Sequence, residues 1–140
     1  KLTVLEPEDD AATVNMGSEY RMPTQAEMEE LINNTTLTFI DLQGNEFTLS
    51  EAENGAIAEY NLKGIKFTGS NGNSIFIPAS GQCFDTILSP AYFLNMLWSS
   101  SLYSYDSMWA YCLLSHYFGN TIIDHIERYH GNAIRGVKAR

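Results

Sequence analysis

The sequence predicts an α+β fold with mostly antiparallel short strands, one or two helices and long irregular loops. Three observations carry this. A single well-signalled helix lies near the N-terminus, a train of short β-prone runs separated by Gly and Asn turns follows it, and a long aperiodic stretch occupies the second half. With 140 residues, 44% of them apolar, the chain can bury one core and is short for two. Residues 1–140 are therefore read as one domain.

The elements follow in order. Lys1-Leu-Thr-Val-Leu5 is strand-like. Thr24-Gln-Ala-Glu27 has capping-box spacing directly after Pro23, and Met28, Leu31 and Ile32 form an inward stripe. That pattern predicts a helix ending near Asn33-Asn34. Residues 36–41 alternate and are rich in Thr, Phe and Ile; Gln43-Gly44-Asn45 then turns the chain into 47–49, which reads as a hairpin. Strands are expected at 57–62, 65–68 and 74–77, the last two joined by a turn over 69–73. Residues 79–97 show neither period, and a structureless stretch of that length is usually functional. A loop is expected after Trp98-Ser-Ser-Ser101, then strands at 110–118, 121–126 and 133–137.

Charge narrows the partners. Seventeen Asp and Glu against eight Lys and Arg give a net charge of -9, which argues against nucleic acid or an anionic membrane surface. No run of about eighteen apolar residues is present, so membrane insertion is not expected. A start at lysine is what a mature or excised domain would show. Cys83 and Cys112 fit no metal or redox spacing; one bridge or two packed thiols are open, and the thiols are the expectation.

The motifs of sequence-readable enzymes are missing: there is no zinc-protease helix, nucleophile elbow, phosphate loop or dinucleotide fingerprint. His116, His125 and His130 lack the spacing of a metal site, and Asp85, Asp106 and Asp124 are too dispersed for a catalytic carboxylate pair. No metal, no cofactor and no catalytic residue is expected. What is present is aromatic loading of loop-like segments, with Tyr103, Tyr105, Tyr117 and Tyr129 mixed among Ser, Asn, Asp and His in the manner of a paratope. Trp98, beside an apolar run, is assigned to the core. In the run 122–130 the polar and apolar residues do not alternate cleanly, so at least one isoleucine should face solvent.

Asp10-Ala-Ala-Thr-Val-Asn15, Arg21-Met-Pro-Thr-Gln-Ala-Glu-Met-Glu-Glu-Leu-Ile32, Gly69-Ser-Asn-Gly-Asn-Ser-Ile-Phe-Ile-Pro-Ala79, Trp98-Ser-Ser-Ser101 and Arg128-Tyr-His-Gly-Asn-Ala-Ile-Arg135 occur in that order. The series resembles the FISUMP-type bacterial domains, which are similar to the formylglycine-generating-enzyme version of the C-type lectin fold. The resemblance runs from about Asp9 to Val137. It implies a C-type-lectin-like scaffold, a cell-surface or secreted bacterial location, and a protein or glycan ligand on another cell, phage or host surface.

Relatives in that family often carry Asn-rich tracts where this chain has Tyr, Ser, Asp, His, Ile and Phe. Some are variable proteins of diversity-generating retroelements, in which adenines of a template are randomised, and Asn codons can yield all of those residues by adenine changes alone. The resemblance therefore nominates a diversified ligand-binding face of Tyr103, Tyr105, Asp106, His116, Tyr117, Asn120, Ile122, Ile123, Asp124, His125, Tyr129 and His130, with Phe84 and Leu94 as lesser members. Trp109 and Glu127 cannot arise this way, and Met108 would need a different template codon; all three are expected in the framework. Calcium-dependent sugar binding is not implied, because the hydroxyls of Trp98-Ser-Ser-Ser101 replace the usual carboxylates and amides. The alternatives are a fixed-specificity structural or tip module of a surface appendage and an oxidase of the formylglycine-generating type, which the placement of the two cysteines does not favour.

Overall fold

The computed structural model describes residues 2–89 and 91–139. Lys1 of the expected opening strand and Pro90 of the aperiodic stretch lie outside the described residues. The architecture is mixed and strand-rich, with small open antiparallel sheets.

The first half builds one layer. Helix α1 (Ala11–Met16) precedes a short strand β1 (Tyr20–Arg21), and helix α2 spans Gln25–Asn33. Its Thr24–Glu27 capping box forms and Asn34 ends it, as the sequence predicts. Strands β2 (Thr35–Asp41) and β3 (Glu46–Thr48) form the expected hairpin, whose turn is fixed by the Asp41 carboxylate accepting from the Asn45 backbone and side chain, both at 2.8 Å. Helix α3 (Leu49–Glu53) follows, then β4 (Leu62–Gly69) and β5 (Ser74–Pro78), and the four strands lie in the order β3-β2-β4-β5.

The strand expected at 57–62 does not form apart from Leu62, which opens β4, and β4 contains the strand expected at 65–68. Residues before it turn, because Ile57 is a single buried anchor and Tyr60 has φ 60°, which no strand accommodates. Helix α3 went unpredicted although Thr48 and Glu51 make the same capping box that marks α2. With only five residues it has no periodic stripe to detect.

The second half supplies a hairpin of β6 (Gln82–Phe84) and β7 (Ile87–Ser89), then three long strands, β8 (Leu94–Leu102), β9 (Trp109–His116) and β10 (Thr121–Glu127), ordered β10-β9-β8. The reading of 79–97 as structureless is therefore overturned, whereas the loop expected after Trp98-Ser-Ser-Ser101 is present over 103–108. Leu94, Asn95, Met96 and Leu97 are all buried, so β8 is covered on both faces and has no alternation to show. Leu94, a lesser candidate for the ligand face, is 8% exposed and lies in a core. The closing strand is also shorter than expected: β11 is Val137–Lys138, paired with β1, and Ala133 makes one bridge to Leu97. At the other end of the chain, Val4 makes a single bridge to Ser101.

The main core lies between the two larger sheets and α2, with Met28, Phe39, Leu62, Ile65, Phe67, Ile77, Leu97 and Leu113 at its centre. A smaller cluster of Leu94, Met96 and Cys112 covers the opposite face of the three-stranded sheet, with Trp98, Leu114 and Ile126 packed on it.

The sequence motifs meet in one hydrogen-bonded clamp. Asp10, 3% exposed, caps α1 through Ala12 N and Thr13 N and also accepts from Met22 N at 2.9 Å. Arg21 grips Glu27 bidentately at 2.7 and 2.6 Å, and Glu27 in turn accepts from Thr24 N. Pro23 O accepts from Ser100 N at 2.9 Å, Ser101 Oγ accepts from Gln25 N at 3.0 Å, and Ser99 Oγ accepts from Ser101 N. Thus the Trp-Ser-Ser-Ser segment docks β8 onto the start of α2.

Asp10→Ala removes a helix cap and leaves Met22 N–H buried without its acceptor. It is expected to destabilise the chain by about 2–4 kcal/mol in chemical denaturation. The Arg21 guanidinium, followed by the Thr24 backbone, holds the Glu27 carboxyl at about 2 against its ordinary 4.5. A depressed carboxylate stabilises the fold above the ordinary value and loses that contribution as pH falls through the folded one. The thermal midpoint gap between the native chain and Glu27→Gln should therefore be constant above about pH 4.5 and close as pH approaches about 2.

Candidate functional site

The three-stranded sheet decides where the nominated residues fall. In register, Glu127 faces Trp109, His125 faces Tyr111 and Ile123 faces Leu113, so these six share one face of the sheet. On that face Ile123 and Leu113 enter the main core. Tyr111, Trp109 and His125 continue the same face past the edge of the core.

There they form an aromatic group with the β8–β9 loop. The His125 ring stacks on Tyr103, centroids 4.0 Å apart and 5° from parallel. Tyr103 meets Tyr105 at 5.5 Å and Tyr111 at 5.6 Å, and Trp109 meets His125 at 5.5 Å. Tyr105 is 86% exposed, while Tyr103, Trp109, Tyr111 and His125 are half-buried. The loop is pinned at its base by Tyr103 N donating to Trp109 O, and Asp106 braces it by accepting from Met108 N through its side chain and from Trp109 N through its carbonyl. Asp106 is therefore an exposed turn former.

The remaining nominees fall elsewhere. His116 lies five residues along β9 from Tyr111, about 16 Å away at strand spacing. It stacks on Phe118 at 4.7 Å and meets Phe93 edge-on, and burial lowers its pKa, so it is neutral near pH 7. Tyr117 packs against Phe93 and the main core, and Asn120 serves the turn, its carbonyl accepting from His116 N. Tyr129 and His130 form a third group with Phe84, centroids 5.8 and 5.0 Å from that ring. His130 also contacts the Gln82 side chain and faces Glu127 at 3.5 Å.

The expectation about the isoleucines holds: Ile122 is 39% exposed and Ile123 packs inward. Ile122 and Asp124 point to the opposite face from the aromatic group. The nominated face is thus not one surface but three groups, and Ile123, His116 and Tyr117 serve packing. Sequence reading missed Tyr111 as a member and set Trp109 aside as framework. Their i, i+2 spacing with Leu113 is the signal that places them together.

Both cysteines are free. Cys112 is fully buried opposite Asp124, and burial, with a smaller push from the Asp124 charge, raises its thiol to about 12. Such a thiol is not a nucleophile at neutral pH. Among the described residues, no three His, Cys, Asp or Glu are grouped to hold a metal ion. No family model matches the chain, and no curated protein or solved structure matches it.

A thiol reagent is expected to label Cys83 in the native chain at neutral pH and to reach Cys112 only after denaturation. Equal labelling of both before unfolding would contradict the burial of Cys112.

Proposed function

We propose that the chain is a ligand-binding domain of a bacterial surface or secreted protein, built on a C-type-lectin-like scaffold of the FISUMP kind and acting without catalysis. Its partner is a protein or glycan on another cell, phage or host surface. The observation that carries this reading is the group of Tyr103, Tyr105, Trp109, Tyr111 and His125. Trp109, Tyr111 and His125 stand on the sheet and Tyr103 and Tyr105 on the loop beside it, and Tyr105 is almost wholly in solvent. Large rings with polar tips supply contact area at low entropic cost.

The groups with catalytic potential elsewhere are committed to packing, His116 within its ring stack and Cys112 within the second core cluster. The retroelement reading fits the same geometry: Tyr105 sits in solvent, where a side chain can be exchanged at small cost to the frame.

Glycan and protein arrays probed with the native chain and with Tyr105→Ala and Trp109→Ala test this. Signals that drop about tenfold or more in both variants, at a thermal midpoint nearly unchanged for Tyr105→Ala, are the expected result. An array profile indifferent to both substitutions would place the ligand face elsewhere.

A further inference from the structure

Strand β10 closes one side of the three-stranded sheet, and no strand lies beyond it among the described residues. Its backbone pattern can be worked out from its ends. His116 N donates to Asn120 O at 2.9 Å and Arg128 N donates to Met108 O at 2.8 Å. In an antiparallel pair, hydrogen-bonded positions alternate, so Ile122, Asp124 and Ile126 turn their backbone groups towards β9. The amides and carbonyls of Thr121, Ile123, His125 and Glu127 therefore face away from it. One outward amide, that of His125, is met by the Asp124 carboxylate at 2.8 Å, an acceptor standing where a neighbouring strand's carbonyl would stand.

Among the described residues, this edge is capped at two points only, the His125 amide by Asp124 and the Glu127 carbonyl by His130 N, and it lacks other common protections. Thr121-Ile-Ile-Asp-His-Ile-Glu127 contains no Lys and no Pro, and its register with β9 runs without a bulge over seven pairs. Edges of that kind accept an extended segment as an additional strand.

The charge and rings beside the edge set the chemistry of the occupant. Asp124 and Glu127 lie on the strand and are partly exposed, and Glu127 is only partly met by His130 at 3.5 Å. The chain as a whole carries -9. The half-buried rings of Tyr103, Trp109 and Tyr111 gather around His125 on one side of β10, with one face of Tyr103 covered by the His125 ring, and rings with carboxylates beside them favour Lys and Arg.

We propose that β10 is a strand-addition site for an extended, Lys- or Arg-bearing segment of a partner protein. The proposal rests on the reading of the aromatic group as the ligand face and adds a backbone-directed mode to it. Side chains of the added strand alternate, one set meeting the rings and the other meeting Ile122 and Asp124.

Three octapeptide probes test this: alternating Lys-Val, alternating Glu-Val, and Lys-Val with every second backbone amide N-methylated. The expected result is that Lys-Val binds at least about tenfold more tightly than either other probe and slows amide exchange at Ile123 and Glu127. Asp124→Lys, with its thermal midpoint as the check on folding, should weaken the Lys-Val peptide by about tenfold. Equal binding of the N-methylated peptide would overturn strand addition, as would no measurable binding of Lys-Val. So would protection of the same amides rising with chain concentration in the absence of peptide, since the occupant would then be a second copy. Loss of array capture in Trp109→Ala alongside unimpaired N-methylated peptide binding would retire strand addition while sparing the aromatic face.

Discussion

The structure depends on one buried carboxylate and the clamp around it. Asp10 accepts three backbone N–H groups from α1 and from the chain entering α2. Those residues are in turn tied to β8 through Pro23, Ser100 and Ser101. A carboxylate this buried is tolerable only because its oxygens are occupied by donors. The consequence is that the start of α2 cannot shift without disturbing β8, and β8 carries β9 and β10 beside it. Trp98 pairs with Cys112 and Leu102 with Ala110, so the clamped serines of β8 lie beside the part of β9 that carries Trp109 and Tyr111, and the aromatic group stands on the segment that the clamp holds.

Frame and face are separated along the same strands. Leu97, Leu113 and Ile123 lie inside the main core, and two residues along, Tyr111 and His125 lie outside it. A strand is well suited to this division, since alternate residues keep one face and a few steps carry that face from interior to solvent. Substitutions at Tyr105 touch only rings and water, whereas those at Ile123 reach the core. Holding Trp109, Tyr111 and His125 on a sheet limits the entropy lost when a partner binds.

What the sequence makes legible is local. Thr24 and Glu27 announce α2 because a capping box and an apolar stripe lie within nine residues; Thr48 and Glu51 announce α3 as plainly, but five residues carry no stripe. Strand β8 was hidden for a physical reason, since burial on both faces erases the alternation that betrays a strand. Trp98-Ser-Ser-Ser101 is conspicuous in the sequence, yet that its serines bind Pro23 and Gln25 is a tertiary fact no spacing reveals. The candidate face was legible residue by residue and not as a surface. Tyr103 and Tyr105 stand out by aromatic character and His125 by its place among the nominated residues, but their union with Trp109 and Tyr111 needs the β9–β10 register. His116 and Tyr117 have the same composition and belong to packing at the other end.

The most direct test of a fixed frame carrying an exchangeable face is sequencing this gene, with the DNA that follows it, across a population of its source. Substitutions should concentrate at adenine positions in the codons for the aromatic group's loop residues, the exposed Tyr105 above all and then the half-buried Tyr103. Asp10, Glu27, Ser100 and Ser101 should remain unchanged. Variation spread evenly over the chain, or falling on the clamp as often as on the rings, would contradict a fixed frame with an exchangeable face.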